Sequence, residues 1–297
     1  MRATLVVNPF ATRVTQSQLA AVQHELRSAA DLEVVMTERP GHATELVAEA
    51  VAAGSDAIVV YSGDGGFNEA VNGLDGDVPI GFLPGGGTSV LSRALGLPPD
   101  AVAAARYLSR SLVAGKTRRI TLGRVNGRRF TFGAGIGLDA EAVRRVDRMG
   151  RTDEGKRPGD LAFALAIVRS LGARLGHLEP GLEVEGYGRA AFALVANGSP
   201  YTYAKRFPLP IAPEAQFDLG LDLVAPVRVR RRTLVPTALA ILSGHVADRS
   251  DTLYGHDLDR LVIVCDEPTA LHADGEDLGD VTEAVFEAER GAVSVYV

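Results

Sequence analysis

Over residues 1–115, short runs of apolar and β-branched residues alternate with longer segments that are apolar at helical spacing, and no other feature restricts the fold as much. Leu5–Val7, Glu33–Met36, Ala57–Tyr61 and Pro79–Leu83 read as buried strands. Between them, Ser17–Ala29 and Ala43–Ala53 place apolar residues every three or four positions, as in Leu19, Val22, Leu26 and in Leu46, Val47, Ala50. Further helices are expected at Phe67–Leu74, Ser89–Leu95 and Asp100–Ser109. Strand–helix alternation of this kind implies a parallel sheet covered on both faces by helices.

After about Arg118 the texture changes. Ile120–Val125, Arg129–Phe132, Leu182–Val184, Ala190–Val195, Leu221–Val224, Leu261–Val264, Thr269–His272 and Val293–Val297 are short strand candidates separated by Gly, Pro and Asp turns. Two helical segments interrupt them, Gly159–Leu175 and Arg231–Ser243, the latter despite Pro236. The expected fold is therefore α/β plus all-β. An N-terminal three-layer parallel-sheet nucleotide domain spans 1–118 and a C-terminal β-sandwich-like domain 119–289, with the last strand, about 290–297, free to return to the first.

Composition removes several function classes. The 297 residues are 46% hydrophobic and 23% charged with a net charge of −6, which suits a folded chain and opposes a basic nucleic-acid binder. Cys265 is the single cysteine, so no internal disulfide forms, a structural zinc site is not expected, and a reducing compartment is indicated. The N-terminal apolar stretch is too short for a signal peptide, and Leu161–Val168 and Leu234–Leu242 fall well short of the roughly 20 residues a spanning helix needs. A cytoplasmic protein is expected, with peripheral contact at the inner membrane face left open.

Ser62-Gly63-Asp64-Gly65-Gly66-Phe67-Asn68-Glu69 follows the strand Ala57–Tyr61 and opens a helix. At such strand ends, glycines let backbone N–H groups approach phosphate oxygens, and Asp64 offers an oxygen to a phosphate-bound Mg²⁺. An ordinary tight turn has the same composition. A second glycine loop, Pro84-Gly85-Gly86-Gly87-Thr88-Ser89, follows another strand, where Thr88 or Ser89 also suits a helix N-cap. With Asn8-Pro9-Phe10-Ala11-Thr12 after the first strand, the two loops would line one crevice, which favours a nucleotide site. Near the C-terminus, Asp274-Gly275-Glu276-Asp277 is either a polar turn or a place where Glu276 serves as general base toward a hydroxyl.

Other patterns fail. Gly115-Lys116-Thr117 has Arg110 where a Walker A loop needs glycine, Phe132–Gly137 has the wrong glycine spacing for a dinucleotide fingerprint, and no GxSxG elbow occurs. His42, His245, His256 and His272 lack metal-ligand spacing.

In their order, these elements resemble the diacylglycerol kinase catalytic-domain family, the bacterial soluble lipid kinases related to sphingosine kinases and, more distantly, NAD kinases. The resemblance runs through Asn8-Pro9, Thr37, Gly41-His42-Ala43, Gly63-Asp64-Gly65, Asn68-Glu69, Pro84–Thr88, Arg93–Gly96, Gly133–Gly137 and Asp274-Gly275-Glu276. It implies ATP contacts from Asn8–Thr12, Thr37, Gly63, Asp64, Gly65, Gly66, Asn68, Glu69, Gly87 and Thr88. Asp64 would lie at the phosphate–Mg²⁺ centre and Glu276 would accept the proton, with the lipid headgroup entering between the domains. Phe217-Asp218-Leu219-Gly220 resembles the family's Asp-Asp-Gly segment, implying Asp218 as ligand of a structural Mg²⁺.

There are departures. The family's GGDGT is Ser62-Gly63-Asp64-Gly65-Gly66, its Asn-Asp pair after the second loop is Val90-Leu91, and an acid at the start of the second domain is Thr121. The expected activity is an ATP- and Mg²⁺-dependent lipid kinase, diacylglycerol being the default acceptor. The alternatives are a catalytically impaired nucleotide- or lipid-binding protein of the same fold and a kinase of a soluble small molecule. The expected partner is a lipid substrate, with no nucleic acid; a homodimer stays open. Arg144, Arg145, Arg148 and Arg151, and the run Arg228–Arg232, are read either as contacts to anionic headgroups or as solvated faces and internal salt bridges.

Overall fold

β1 (Arg2–Val7), β2 (Asp31–Met36), β3 (Ala57–Ser62) and β4 (Ile80–Pro84) pair in parallel in the order β4-β3-β1-β2. In the computed structural model, which describes residues 1–148, 177–204, 207–246 and 248–297, this sheet forms the core of the first of two units. That unit comprises Met1–Thr121 and Gly291–Val297; the second comprises Leu122–Arg290. β3 and β4 are buried at every residue, so neither shows the polar alternation of a half-exposed strand. The last residues of the chain return to the sheet, Val295 pairing in parallel with Ile80.

The helices of this unit are α1 (Gln16–Arg27), α2 (His42–Ala52), α3 (Asp64–Gly73), α4 (Val90–Ala94) and α5 (Ala101–Ala114). Thr15 and Asp100 cap α1 and α5, their side chains accepting from Gln18 N and Ala103 N. α1 packs on α5 and α2 on α3. The second contact needs Gly73, where a Cβ would stand 2.1 Å from the Thr44 carbonyl oxygen.

In the second unit the described elements are β5 (Thr117–Val125, entering from the first unit), β6 (Arg128–Phe130), β7 (Gly133–Ile136), α6 (Leu138–Arg148), β8 (Leu182–Val184), β9 (Gly188–Ala190), β10 (Ala193–Ala196), β11 (Thr202–Ala204), β12 (Phe207–Leu209), β13 (Leu221–Pro226), α7 (Arg231–Ser243), β14 (Thr252–Leu258), β15 (Arg260–Ala273) and β16 (Glu276–Tyr296). β14-β13-β10-β7-β15 run antiparallel, with β8 and β16 also paired to β15. Side chains alternate as a two-residue period requires. Ala193 and Val195 enter one core with Leu221, Leu223, Ile263 and Phe286, while Leu194 and Ala196 enter a second with Leu138, Phe192, Tyr201 and Val224.

Several elements differ from the sequence expectation. The Ala190–Val195 run is split between β9 and β10, and the separate runs at 261–264 and 269–272 are one strand with a register shift between Val264 and Thr269. The glycines of Gly133–Ile136 lie within β7, because Cβ atoms there would meet the Tyr201 ring at 2.5 Å and His272 Nε2 at 2.7 Å. β16 extends over 21 residues, its early part carrying charged side chains that hide a strand from an apolar pattern. The Gly159–Leu175 segment lies outside the described residues.

Candidate functional site

Four loops leave the carboxyl ends of β1 to β4, the edge where parallel sheets receive ligands. After β1, Asn8 Oδ1 accepts from Phe10 N at 3.0 Å and Asn8 O from Ala11 N at 3.2 Å, turning the chain so that Pro9, Phe10 and Thr12 are exposed. Asn8 N donates to Tyr61 O on the neighbouring strand. After β2, Thr37 is buried, its N–H bonded to Val7 O.

The two glycine loops stand back to back. A Cβ on Gly86 would lie 2.8 Å from Gly63 Cα, and one on Gly85 3.0 Å from the Ser62 carbonyl oxygen. Gly87 is exposed with open space at its Cβ position, and Thr88 is half-buried. Gly63 stands at the N-cap of α3, so the first turn of that helix begins at this edge.

Asp64 reaches from the first loop to the second. Its Oδ2 accepts from Val90 N at 3.0 Å and its Oδ1 from Leu91 N at 3.2 Å, binding the start of α4. Val90 and Leu91 therefore meet Asp64 through their backbones, at the positions where the resembled family carries Asn-Asp. Glu69 acts similarly at α2, its carboxylate accepting from Ala43 N at 3.1 Å, while Asn68 is fully buried and accepts from Asn72 Nδ2.

Gly66 and Ser62 form one packing unit. A Cβ on Gly66 would fall 2.1 Å from Ser62 Oγ, which is buried and has no hydrogen-bond partner among the described residues. The side chain that disappears at 66 is thus matched by one that appears at 62. Arg13, which no sequence pattern marked, binds the second loop, its N–H donating to Gly85 O at 2.9 Å and its Nη2 to Gly87 O at 3.2 Å. Its place directly after the Asn8–Thr12 turn at the end of β1 is the signal that could have singled it out.

The other sequence-marked residues belong to the second unit. Asp274 (φ +48°) and Gly275 (φ +78°) are both left-handed and join β15 to β16 as a two-residue type I′ turn. The Asp274 carboxylate accepts from Thr131 N (2.6 Å), Thr131 Oγ1 (2.8 Å), Phe132 N (3.0 Å) and Gly133 N (3.2 Å) and is buried. Glu276, the next residue, is half-buried with Arg128 Nη2 at 2.5 Å.

On the strand side, His272 Nε2 meets Asp139 Oδ2 at 2.6 Å, and the Tyr201 hydroxyl donates to the same oxygen at 2.8 Å. Gly275 N donates to His272 Nδ1 at 3.4 Å, which makes Nε2 the protonated nitrogen. Burial acts to raise the Asp139 carboxyl, but His272 and the Tyr201 hydroxyl outweigh it and hold the group below the usual aspartate value. Burial and the same carboxylate push the Tyr201 phenol well up. Asp218 is exposed on the loop before β13, and no group of three or more His, Cys, Asp or Glu able to hold a metal occurs among the described residues. Arg144, read as part of a basic patch, is engaged with Asp277 and Asp280.

A glycine-lined parallel sheet followed by an antiparallel β unit is the architecture shared by diacylglycerol kinases and NAD kinases. Residues 2–125 match the family model of the diacylglycerol kinase catalytic domain. A diacylglycerol kinase of Bacillus subtilis (strain 168) is 28% identical over 93% of this chain and 89% of its own length. A crystal structure of a diacylglycerol kinase from Bacillus anthracis str. Sterne superposes with a TM-score of 0.73 at 21% identity, over 99% of this chain and 96% of that one. An NAD kinase from Archaeoglobus fulgidus in complex with ATP gives 0.54 at 13% identity, over 99% and 93%. These two structures are similar in fold.

Proposed function

We propose that this chain is an ATP- and Mg²⁺-dependent lipid kinase, with the primary hydroxyl of diacylglycerol as its default acceptor. The observation that carries the reading is the pairing of Gly63 and Gly86 at hydrogen-only distance, beside the N-terminus of α3 and the Arg13 cation. Such an edge binds a triphosphate through backbone N–H groups and a positive charge. Asn8–Thr12, Thr37, Gly63–Gly66, Asn68, Glu69, Gly87 and Thr88 belong to that nucleotide site in this reading.

The donor set fits a Mg²⁺ that arrives on phosphate oxygens and keeps most of its water, since Asp64 offers one carboxylate and no all-protein cage occurs among the described residues. When bound, the ion neutralises charge on the phosphates. The chain's own groups do the rest. The acceptor oxygen bonds to the γ-phosphorus, the bond from that phosphorus to the bridging oxygen of ADP breaks, and the hydroxyl proton passes to the Glu276 carboxylate. Positioning and charge stabilisation dominate in such transfers. Arg145, Arg148 and the run Arg228–Arg232 remain candidates for peripheral contact with anionic headgroups, and Asp218 for a structural Mg²⁺.

A nucleotide- or lipid-binding protein without turnover is the second reading, favoured by Asp64 already accepting two backbone N–H bonds where the family has further polar side chains. Transfer of labelled phosphate from ATP to a panel of lipids, long-chain bases and nucleotides separates the readings. Lipid product is expected. Glu276→Gln is expected to lower it to a small residual rate while ATP affinity stays within a few-fold. Tight ATP binding with transfer to no acceptor selects the binding protein, and full turnover by Glu276→Gln removes that residue from the mechanism.

A further inference from the structure

The turn that presents Glu276 is gripped from both sides by one helix. From the first turn of α6, Asp139 holds His272, two residues before the turn, at 2.6 Å. Five residues further along, Arg144 makes two bonds to Asp277, just after it, at 2.8 and 3.0 Å, and a third ion pair to Asp280 at 2.6 Å. His272 passes the constraint on, its Nδ1 accepting from Gly275 N inside the turn. The Tyr201 hydroxyl closes the buried end on Asp139. Gly135 leaves room for the pair, since a Cβ there would stand 2.7 Å from His272 Nε2 and 2.8 Å from Asp139 Oδ2.

Folding alone does not require so many bonds at this place. The Asp274–Gly275 hairpin already has both residues in the left-handed region, and Asp274 is anchored separately through residues 131–133. The α6 bonds add control of where residues 275–277 point, and Glu276 is the middle residue of the three. His272 and Asp139 are both nearly fully buried, so their alignment is fixed by packing rather than by solvent. Arg144 is only about one-fifth exposed and its fork is bidentate, the geometry that adds direction as well as attraction.

We infer that α6 is a positioning element for the general base, with Asp139, His272 and Arg144 as positioning residues that act through Glu276. This rests on the kinase reading above. A displacement of a reacting group by about 1 Å can cost roughly a hundredfold in rate, so loosening either grip acts on turnover more than on nucleotide binding.

The test is a double-mutant cycle in the full chain. His272→Asn keeps an acceptor near the Nδ1 position and loses the bond to Asp139, and Arg144→Met removes the other grip. Each single variant is expected to lower kcat about ten- to hundredfold with KM for ATP unchanged. In the Glu276→Gln background, the same changes are expected to alter the residual rate less than about twofold, because the path through Glu276 is already lost. Arg144→Lys restores charge without the fork and is expected to recover part of the loss. Ile263→Val, in the fully buried core of the same unit, sets what destabilisation alone does to the rate. Independently of turnover, amide exchange in peptides covering 273–278 is expected to accelerate in His272→Asn and Arg144→Met.

Unchanged exchange at the turn overturns the inference. So does an effect of His272→Asn that multiplies fully with Glu276→Gln, or one that Ile263→Val reproduces; each leaves the kinase reading standing. A wild-type chain that transfers no phosphate removes that reading, and the inference with it.

Discussion

Replacing Asp274 tests how the second unit is held together. Its carboxylate is the acceptor for three backbone N–H groups and one hydroxyl, on residues 131–133, all of them buried. Asp274→Ala leaves the four donors without that acceptor, and each orphaned buried group costs about 1–3 kcal/mol. The four share one site and relax together, so the sum is not additive. The loss measured when one partner of a buried charged cluster is removed, about 3–5 kcal/mol, is the better guide. Alanine also meets a φ of +48°, adding about 1–2 kcal/mol of left-handed strain that asparagine largely avoids. Asp274→Asn keeps shape and φ but turns one oxygen into a donor facing donors, so about 3 kcal/mol is expected for it and more for alanine. For a unit of this size, each kcal/mol lowers the melting temperature by about 2–4 °C. Guanidinium unfolding followed by far-ultraviolet circular dichroism, with the slope checked for constancy, measures the loss. An Asp274→Asn protein within about 1 kcal/mol of wild type at unchanged slope would refute the premise that this carboxylate is the organising acceptor of residues 131–133.

Four further outcomes are expected. Gly66→Thr destabilises the first unit because its Cβ meets Ser62 Oγ, and Ser62→Gly added to it restores the melting temperature; additive losses in thermal melts argue against shared space. Gly73→Ala, driven into the Thr44 carbonyl, costs at least about 2 kcal/mol in chemical denaturation, on the scale of overpacked cores. Cys265 is buried, which pushes its thiol up, so alkylation by iodoacetamide at pH 8 is slow until denaturant is added; rapid labelling of the native protein contradicts this. Arg144 holds the Asp277 carboxyl below the ordinary aspartate value, so the pair contributes stability above about pH 4 and loses it as the pH falls through the lower folded value. Arg144→Met is therefore expected to be less stable than wild type at pH 7, with the difference closing in acid unfolding curves.

Legibility in the sequence followed the range of the interactions. β3 and β4 are buried throughout, β1 at all but Arg2, and their helices are amphipathic, so a local window detects them, with most ends displaced by one to three residues and the C-terminus of α5 by five. The strand ends at 8–12, 62–64 and 84–88 are legible because glycine, proline and turn residues follow each buried run, whereas Thr37 is marked only by the family resemblance. α6 buries Leu138, Ala142, Val143 and Val146 at helical spacing, a short local signal that the strand-rich surroundings masked, and its purpose lies in bonds such as Asp139 to His272, 133 positions away, which leave no periodic trace. β16 escaped because charged residues interrupt its apolar side. Gly66 reads along the chain as a lost threonine; only the 2.1 Å approach to Ser62 shows the two positions as one exchange.

The turn at Asp274–Gly275 also bears on how the protein ages. Aspartyl-glycyl sequences lose their identity when the glycine nitrogen attacks the preceding carboxyl carbon, closing a succinimide that reopens largely as isoaspartate. Here that nitrogen is directed at an imidazole, and the carboxyl is pinned by four donors, so neither partner can rotate into reach of the other. An Asp-Gly bond open to this spontaneous damage is locked by the same contacts that shape the hairpin.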